Sequence, residues 1–99
     1  MLNINKTIEN GKAVFALTGR LDTTTAPDLE KELKESLGGA SELVLDFAGL
    51  EYISSAGLRV LLSAQKIMNC KGDMKVTNVN ETILEIFEVT GFSDILTVE

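Results

Sequence analysis

The residues best suited to chemistry are two adjacent serines, Ser54 and Ser55, in the stretch 52–62. A short apolar run at 43–47 precedes them, and apolar residues recur at helical spacing after them. This pattern predicts a strand, then a turn that carries the serines, then a helix. Because the N–H groups and the positive dipole end of that helix would point at the turn, the turn is a suitable place for a phosphate.

The composition excludes several kinds of active site. The chain has no histidine, which rules out Ser-His and Cys-His nucleophile pairs and removes the commonest metal ligand. Cys70 is the only cysteine, so neither an intrachain disulfide nor a CxxC zinc or redox pair can form. We interpret Cys70 as a small buried or half-buried filler. We therefore predict no cofactor and no metal site.

The charge balance limits the choice of partners. Fifteen acidic and nine basic residues give a formal charge of −6, which opposes binding to nucleic acid or to an anionic membrane surface. No segment approaches the roughly 18 uninterrupted apolar residues of a membrane span, and the N-terminal residues lack a signal-peptide pattern. We expect one cytoplasmic domain over 1–99, with no nucleic-acid partner and no direct membrane insertion.

The beginning of the chain predicts a hairpin. Alternating or β-prone segments at 2–8 and 12–18 flank the dipeptide Asn10-Gly11. That dipeptide is the strongest short hairpin signal, because both central residues of a type I′ turn need positive φ. The first two strands should therefore be antiparallel.

A helix should follow the hairpin. Pro27 suits the first turn of a helix, and Thr24 or Thr25 is the expected cap. Gly38-Gly39 is the expected end of the helix. An apolar stripe at helical spacing gives the helix one buried side: Ala26, Leu29, Leu33 and Leu37.

The rest of the chain alternates strands and helices. After the strand at 43–47 we predict a helix at about 55–69, a strand at 74–79, a helix capped by Asn80 and a short strand at 95–98. The order β-β-α-β-α-β-α-β predicts an α/β fold, with helices packed on a mixed, mostly parallel sheet of four or five strands.

Loops beyond the carboxyl ends of parallel strands meet at one rim of such a sheet, where ligands and partners bind. We expect this rim to be formed by the segments 19–25, 49–55 and 78–80. Asp46, at the end of a buried strand, is expected to fix the loop that follows it rather than to act chemically.

Two motifs resemble those of a known family. The segment 17–29, LTGRLDTTTAPDL, resembles the LxGxLDxxxAxxL opening of STAS domains, the family of anti-sigma factor antagonists and sulphate-transporter tails. LDF at 45–47 and YISSAGL at 52–58 are similar to the second motif of that family. The resemblance covers nearly the whole chain.

The resemblance implies a phosphorylation switch at Ser55. The unphosphorylated protein would bind an anti-sigma factor that is a serine kinase of the GHKL ATPase type, and so release a sigma factor. Phosphorylation of Ser55 would end that binding, and a PP2C-type phosphatase would restore it. The partner-binding residues would be Asp22, Thr23, Ser54, Ser55, Ala56, Gly57 and Arg59.

Local physical chemistry gives several of these residues a role. Ser54 is the expected N-cap, which would leave the Ser55 hydroxyl free for a kinase. Glycine is unfavourable inside a helix, and the close approach of a partner backbone is one reason for Gly57. Asp22 could equally assist the cap of the first helix, and Arg59 could pair with an acidic partner, pair with phosphate or extend into solvent.

Three classes of function follow from these observations. The leading class is the phosphorylation-controlled interaction module. The second is a STAS domain without a switch, acting as a scaffold or as the cytosolic subunit of a lipid or anion transport complex. An enzyme with Ser55 as nucleophile ranks lowest, because no lysine falls within the motif and neither glycine cluster continues as a phosphate-binding GK[ST].

Overall fold

The hairpin at the start of the chain forms as its sequence predicts. In the computed structural model, which describes residues 2–99, Asn10 has φ 49° and Gly11 has φ 80°. Strand β1 (Leu2–Glu9) pairs antiparallel with β2 (Lys12–Leu21) from Leu2 opposite Gly19 to Glu9 opposite Lys12. Both turn residues therefore adopt the positive φ that a type I′ turn requires.

Helices alternate with parallel strands after the hairpin. The elements are α1 (Ala26–Ser36), β3 (Glu42–Ile53), α2 (Ser55–Asn69), β4 (Asp73–Thr77) and α3 (Glu81–Thr90). Single turns of 3-10 helix lie at Leu37–Gly39 and Phe92–Asp94. The sheet order is β1-β2-β3-β4, with β2, β3 and β4 parallel. The predicted α/β fold and mostly parallel sheet are confirmed.

One face of the sheet forms the core. Phe15 lies opposite Leu45, and Leu45 lies opposite Val76, and all three side chains are fully buried. The helices pack on this face: Lys6 on β1 forms an ion pair of 2.8 Å with Glu32 on α1. On α3, the Phe87 ring lies 6.4 Å from the ring of Phe47.

Strand β3 is longer than predicted, and this changes the rim. It continues to Ile53, so residues 49–53 belong to the strand. The interpretation of 49–55 as a loop is wrong for these residues. Two register shifts between β2 and β3 fall around Ala48 and at Glu51. Thr18 pairs with Gly49 between them, and Leu21 pairs with Ile53 beyond both. Irregularities of this kind let both strands continue, so β2 and β3 extend together to the start of α2.

Three smaller expectations also differ from the structure. Strand β4 ends at Thr77 rather than at 79, since Asn78 turns into a left-handed conformation with φ 56°. The predicted terminal strand is reduced to a single parallel bridge between Val98 and Val76. Cys70 is exposed at the end of α2 rather than buried.

Candidate functional site

The loop between β2 and α1 is organised by Asp22. One oxygen of its carboxylate, Oδ1, accepts hydrogen bonds from the Thr24 N–H at 3.0 Å, the Thr25 N–H at 3.1 Å and the Thr24 hydroxyl at 2.9 Å. The hydrogen bond from the Thr24 side chain is the main reason why the pKa of Asp22 lies below its usual value. Asp22 therefore presents a fixed negative charge at the rim, and these bonds favour its loop-ordering role.

The prediction that Thr24 or Thr25 caps α1 is confirmed in position alone, by Thr25. Thr25 occupies the N-cap position, but its side chain makes no capping hydrogen bond. Its buried hydroxyl instead accepts from the Asp22 N–H at 2.8 Å and donates to the Arg20 carbonyl at 2.9 Å. Thr25 thus ties the end of β2 to the start of α1, a role that its sequence position does not reveal.

The two serines at the start of α2 have separate environments. Ser54 is the N-cap, as predicted, and its hydroxyl oxygen accepts from the Gly57 N–H at 3.5 Å. The Ser54 N–H donates to the Leu21 carbonyl at 2.9 Å, which joins this turn to the Asp22 loop. Ser55 is the first residue of α2 and is exposed, and its hydroxyl makes no hydrogen bond within residues 2–99.

Gly57 faces the core, so the interpretation that it admits a partner backbone is wrong. The residue is buried. A Cβ at this position would lie 2.8 Å from Ile53 Cγ1 and 2.8 Å from Leu21 Cγ. The close packing of α2 on the ends of β2 and β3 therefore requires glycine here.

A shallow groove lies between the first turns of α1 and α2. It has a volume of about 200 Å³. Its lining residues are Thr23, Ala26, Pro27, Glu30, Ala56, Arg59 and Val60. The structure thus brings Thr23, Ala56 and Arg59 together, as the predicted site requires. Because residues four apart share one side of a helix, Arg59 lies on the same side of α2 as Ser55.

The third part of the rim, at 78–80, is held by Asp46, which lies within β3 and not, as the sequence predicts, at the end of a strand before a loop. Its Oδ1 accepts from the Ala48 N–H at 2.9 Å and from the Asn78 side-chain amide at 3.0 Å. The bond from Asn78 is the main reason why the pKa of Asp46 is lowered.

Asn80 makes a second link between the loop after β4 and strand β3. Its side-chain oxygen caps α3 by accepting from the Ile83 N–H, and its side-chain amide donates to the Leu50 carbonyl at 2.9 Å. Asp46 and Asn80 therefore connect β3 to the loop after β4.

One contact near the rim has no counterpart in the sequence reasoning. The Arg20 guanidinium carbon lies 4.7 Å from the centre of the Tyr52 ring, on paired positions of β2 and β3. The contact depends on the two register shifts between the strands, which the sequence pattern does not specify.

The described residues offer no group of three or more His, Cys, Asp or Glu side chains placed to hold a metal ion. Among the helices of residues 2–99, none has the length and apolar character needed to cross a membrane.

The family model of the STAS domain matches residues 3–99. The chain belongs to the STAS domain family. BtrV of Bordetella bronchiseptica, which carries the name of an anti-sigma factor antagonist, is 36% identical over 91 residues, covering 90% of this STAS domain and 78% of BtrV.

Solved structures have the same fold as this STAS domain. An anti-sigma factor antagonist from Mycobacterium paratuberculosis superposes with a TM-score of 0.90 at 20% identity, covering 99% of this chain and 85% of the other. The phosphorylated form of the Bacillus cell-fate determinant SpoIIAA gives a TM-score of 0.76 at 16% identity, over 100% of this chain and 91% of SpoIIAA. At these identities the comparison establishes the fold alone.

Proposed function

We propose that this STAS domain is an anti-sigma factor antagonist whose binding is controlled by phosphorylation of Ser55. BtrV, which is 36% identical to this chain, carries the name of an anti-sigma factor antagonist, and this supports the antagonist role. The partner is an anti-sigma factor, and the kinase is that same anti-sigma factor, a serine kinase of the GHKL type. A PP2C-type phosphatase reverses the modification. A cytoplasmic location belongs to the same proposal.

The observation that carries this proposal is the free hydroxyl of Ser55. Ser54 supplies the helix cap, so Ser55 is exposed and has no structural hydrogen bond to lose when a kinase approaches. It is also the position that follows Ser54 and precedes Ala56 and Gly57 in the family motif. An acceptor serine needs this accessibility, whereas a serine that only stabilises the helix does not.

A phosphate on Ser55 is compatible with the fold. It adds about −1.5 to −2 charges at the N-terminus of α2, where the free N–H groups and the helix dipole favour negative charge. The adjacent loop already presents the Asp22 carboxylate. The phosphate therefore acts at the interface, by its bulk and by the negative charge that it adds to that of Asp22.

The partner surface consists of exposed or half-exposed residues around this serine. Exposed Thr23 and Arg59 and half-buried Ala56 line the groove. Gly57 contributes only through the packing of α2, because it is buried. We assign Asp22 to ordering the loop and to supplying charge at its edge.

The direct test is phosphate transfer by a GHKL anti-sigma factor kinase from the same organism. We expect mass spectrometry to find phosphate on Ser55 alone and Ser55→Ala to abolish incorporation. Ser93→Ala is the matched control, since Ser93 is also an exposed serine in a first helical turn. The Ser93→Ala variant should be phosphorylated normally at Ser55. Phosphate on Ser93 or on Ser54, with Ser55 unmodified, would contradict the assignment.

The binding arm of the experiment distinguishes the switch from a scaffold. Ser55→Ala should bind the kinase, and Ser55→Asp should bind it weakly. Stable association with the subunits of a lipid or anion transporter, with Ser55 unmodified in cells, would favour the scaffold function instead.

A further inference from the structure

The outer side of α3 forms a second surface, remote in sequence from the Ser55 motif. A groove of about 340 Å³ runs along this helix. It is lined by Thr82, Glu85, Ile86, Val89 and Thr90, which we call the α3 stripe. These positions follow one another at steps of three, one, three and one, so they occupy a single side of the helix.

The α3 stripe contains apolar surface that the fold itself does not use. Val89 is 80% exposed, while Ile86 is half-buried and packs partly against the core. The inner side of α3 is already satisfied, since Ile83 and Phe87 are completely buried. An exposed apolar residue beside a half-buried one offers an anchor point for another molecule.

The charges on α3 and on the residues next to it in the sequence are of one sign. Residues 76–99 contain five acidic residues and no basic residue, so this last quarter of the chain carries −5 of the total formal charge of −6. Three of the acids, Glu81, Glu85 and Glu88, lie on α3 itself, and the last turn of α3 has no basic residue. Such a surface attracts cationic groups and repels nucleic acid and anionic membranes.

We propose that the α3 stripe docks a cationic amphipathic helix of a partner protein. An apolar residue of that helix lies against Ile86 and Val89, and its Lys or Arg residues face Glu85 and Glu88. The stripe residues are three or four positions apart along α3, and side chains at this spacing form the ridges through which one helix packs on another. This surface is independent of the proposed switch at Ser55, so either proposal can fail without the other.

The test uses a synthetic probe. A helical peptide of about 15 residues, with Leu on one side and Lys on the other, is compared with a peptide in which every Lys is replaced by Glu. We expect fluorescence anisotropy to detect binding of the Lys peptide alone. Amide chemical shifts of the full chain should change along residues 82–90.

Two variants separate the apolar contact from simple charge attraction. Val89→Ser leaves the net charge unchanged and should weaken binding of the Lys peptide by about threefold to tenfold. Because Val89 is exposed, the variant should fold normally. Ile8→Ser is the matched control, since Ile8 is 50% exposed on β1, and its affinity should equal that of the wild type.

Three results would overturn the proposal. Equal affinity of wild type and Val89→Ser would mean that acidic charge alone holds the peptide. Shift changes confined to the groove beside Ser55 would place the peptide elsewhere. Binding to neutral phosphatidylcholine vesicles that Val89→Ser abolishes would identify a lipid surface as the occupant.

Discussion

Ser54 and Ser55 are chemically identical neighbours whose hydroxyl groups lie in different environments. The extended backbone of Ser54, with ψ 176°, turns its side chain back toward the Gly57 N–H, whereas Ser55 is already helical and points outward. This division of roles could be predicted from sequence because a cap depends only on residues three positions away. The role of Gly57 could not, since it depends on contact with Leu21 on another strand.

The carboxylates of Asp22 and Asp46 predict how stability responds to acid. The folded pKa of each lies below the unfolded value of about 3.8, through hydrogen bonds from Thr24 and Asn78 respectively. A lowered folded pKa contributes stability that is fully present above the unfolded pKa and is lost as the pH falls through the folded pKa. The free energy of unfolding should therefore decrease below about pH 4.

Urea denaturation at several pH values checks this prediction. In Asp46→Asn the group can no longer titrate, so the stability difference from the wild type should be largest near neutral pH and should shrink below about pH 4. A difference that stays constant from about pH 7 to pH 3 would show that the hydrogen bonds of Asp46 do not depend on its charge.

At the scale of elements, the sequence predicts each helix and strand from β1 to α3 but not how far β2 and β3 extend. Strand β2 continues to Leu21, so the interpretation of 19–21 as part of a loop is wrong. The apolar run is interrupted at Asp46, Ala48 and Gly49, and in the sequence this interruption resembles a turn that ends the strand. Strand β3 continues through them because β2 pairs with it on both sides of the irregularity around Ala48. Such pairing is a long-range property, and it also creates the contact between Arg20 and Tyr52.

The packing of α2 against the ends of β2 and β3 gives a prediction for Gly57→Ala. Alanine favours the helix by up to about 1 kcal/mol, but its Cβ would lie 2.8 Å from both Ile53 Cγ1 and Leu21 Cγ. Overpacking of this kind costs about 1–3 kcal/mol, so we expect a net loss in the free energy of unfolding.

Gly38→Ala is the matched control for that substitution. Gly38 lies in the turn after α1, and an added Cβ there would have no neighbour within 4 Å. Its stability should stay within about 0.5 kcal/mol of the wild type. If both variants were equally stable in urea denaturation, the close contact of α2 with the sheet would not be what requires glycine at Gly57.

At the scale of the molecule, one sheet supports two surfaces of different character. The rim around Ser55 contains both signs of charge, with Glu30 and Arg59 lining one groove and Asp22 in the loop before α1. The α3 stripe is apolar and acidic. The sequence motifs predict the first surface, because they preserve its residues at fixed spacing. They do not predict the second, because the exposure of Val89 follows from the way α3 packs through Ile83 and Phe87.

The central claim is that phosphate on Ser55 removes the partner while leaving the fold intact. The most direct measurement is calorimetric titration of the GHKL kinase with unphosphorylated protein and with protein fully phosphorylated at Ser55, together with the Tm of each form. We expect the phosphorylated form to bind about 100-fold more weakly or worse, because like charges facing each other at an interface cost several kcal/mol. Its Tm should stay within a few degrees of the unphosphorylated form, because the phosphate lies at the favourable end of α2. Undiminished affinity of the phosphorylated form, or a loss of affinity that accompanies unfolding, would contradict the claim.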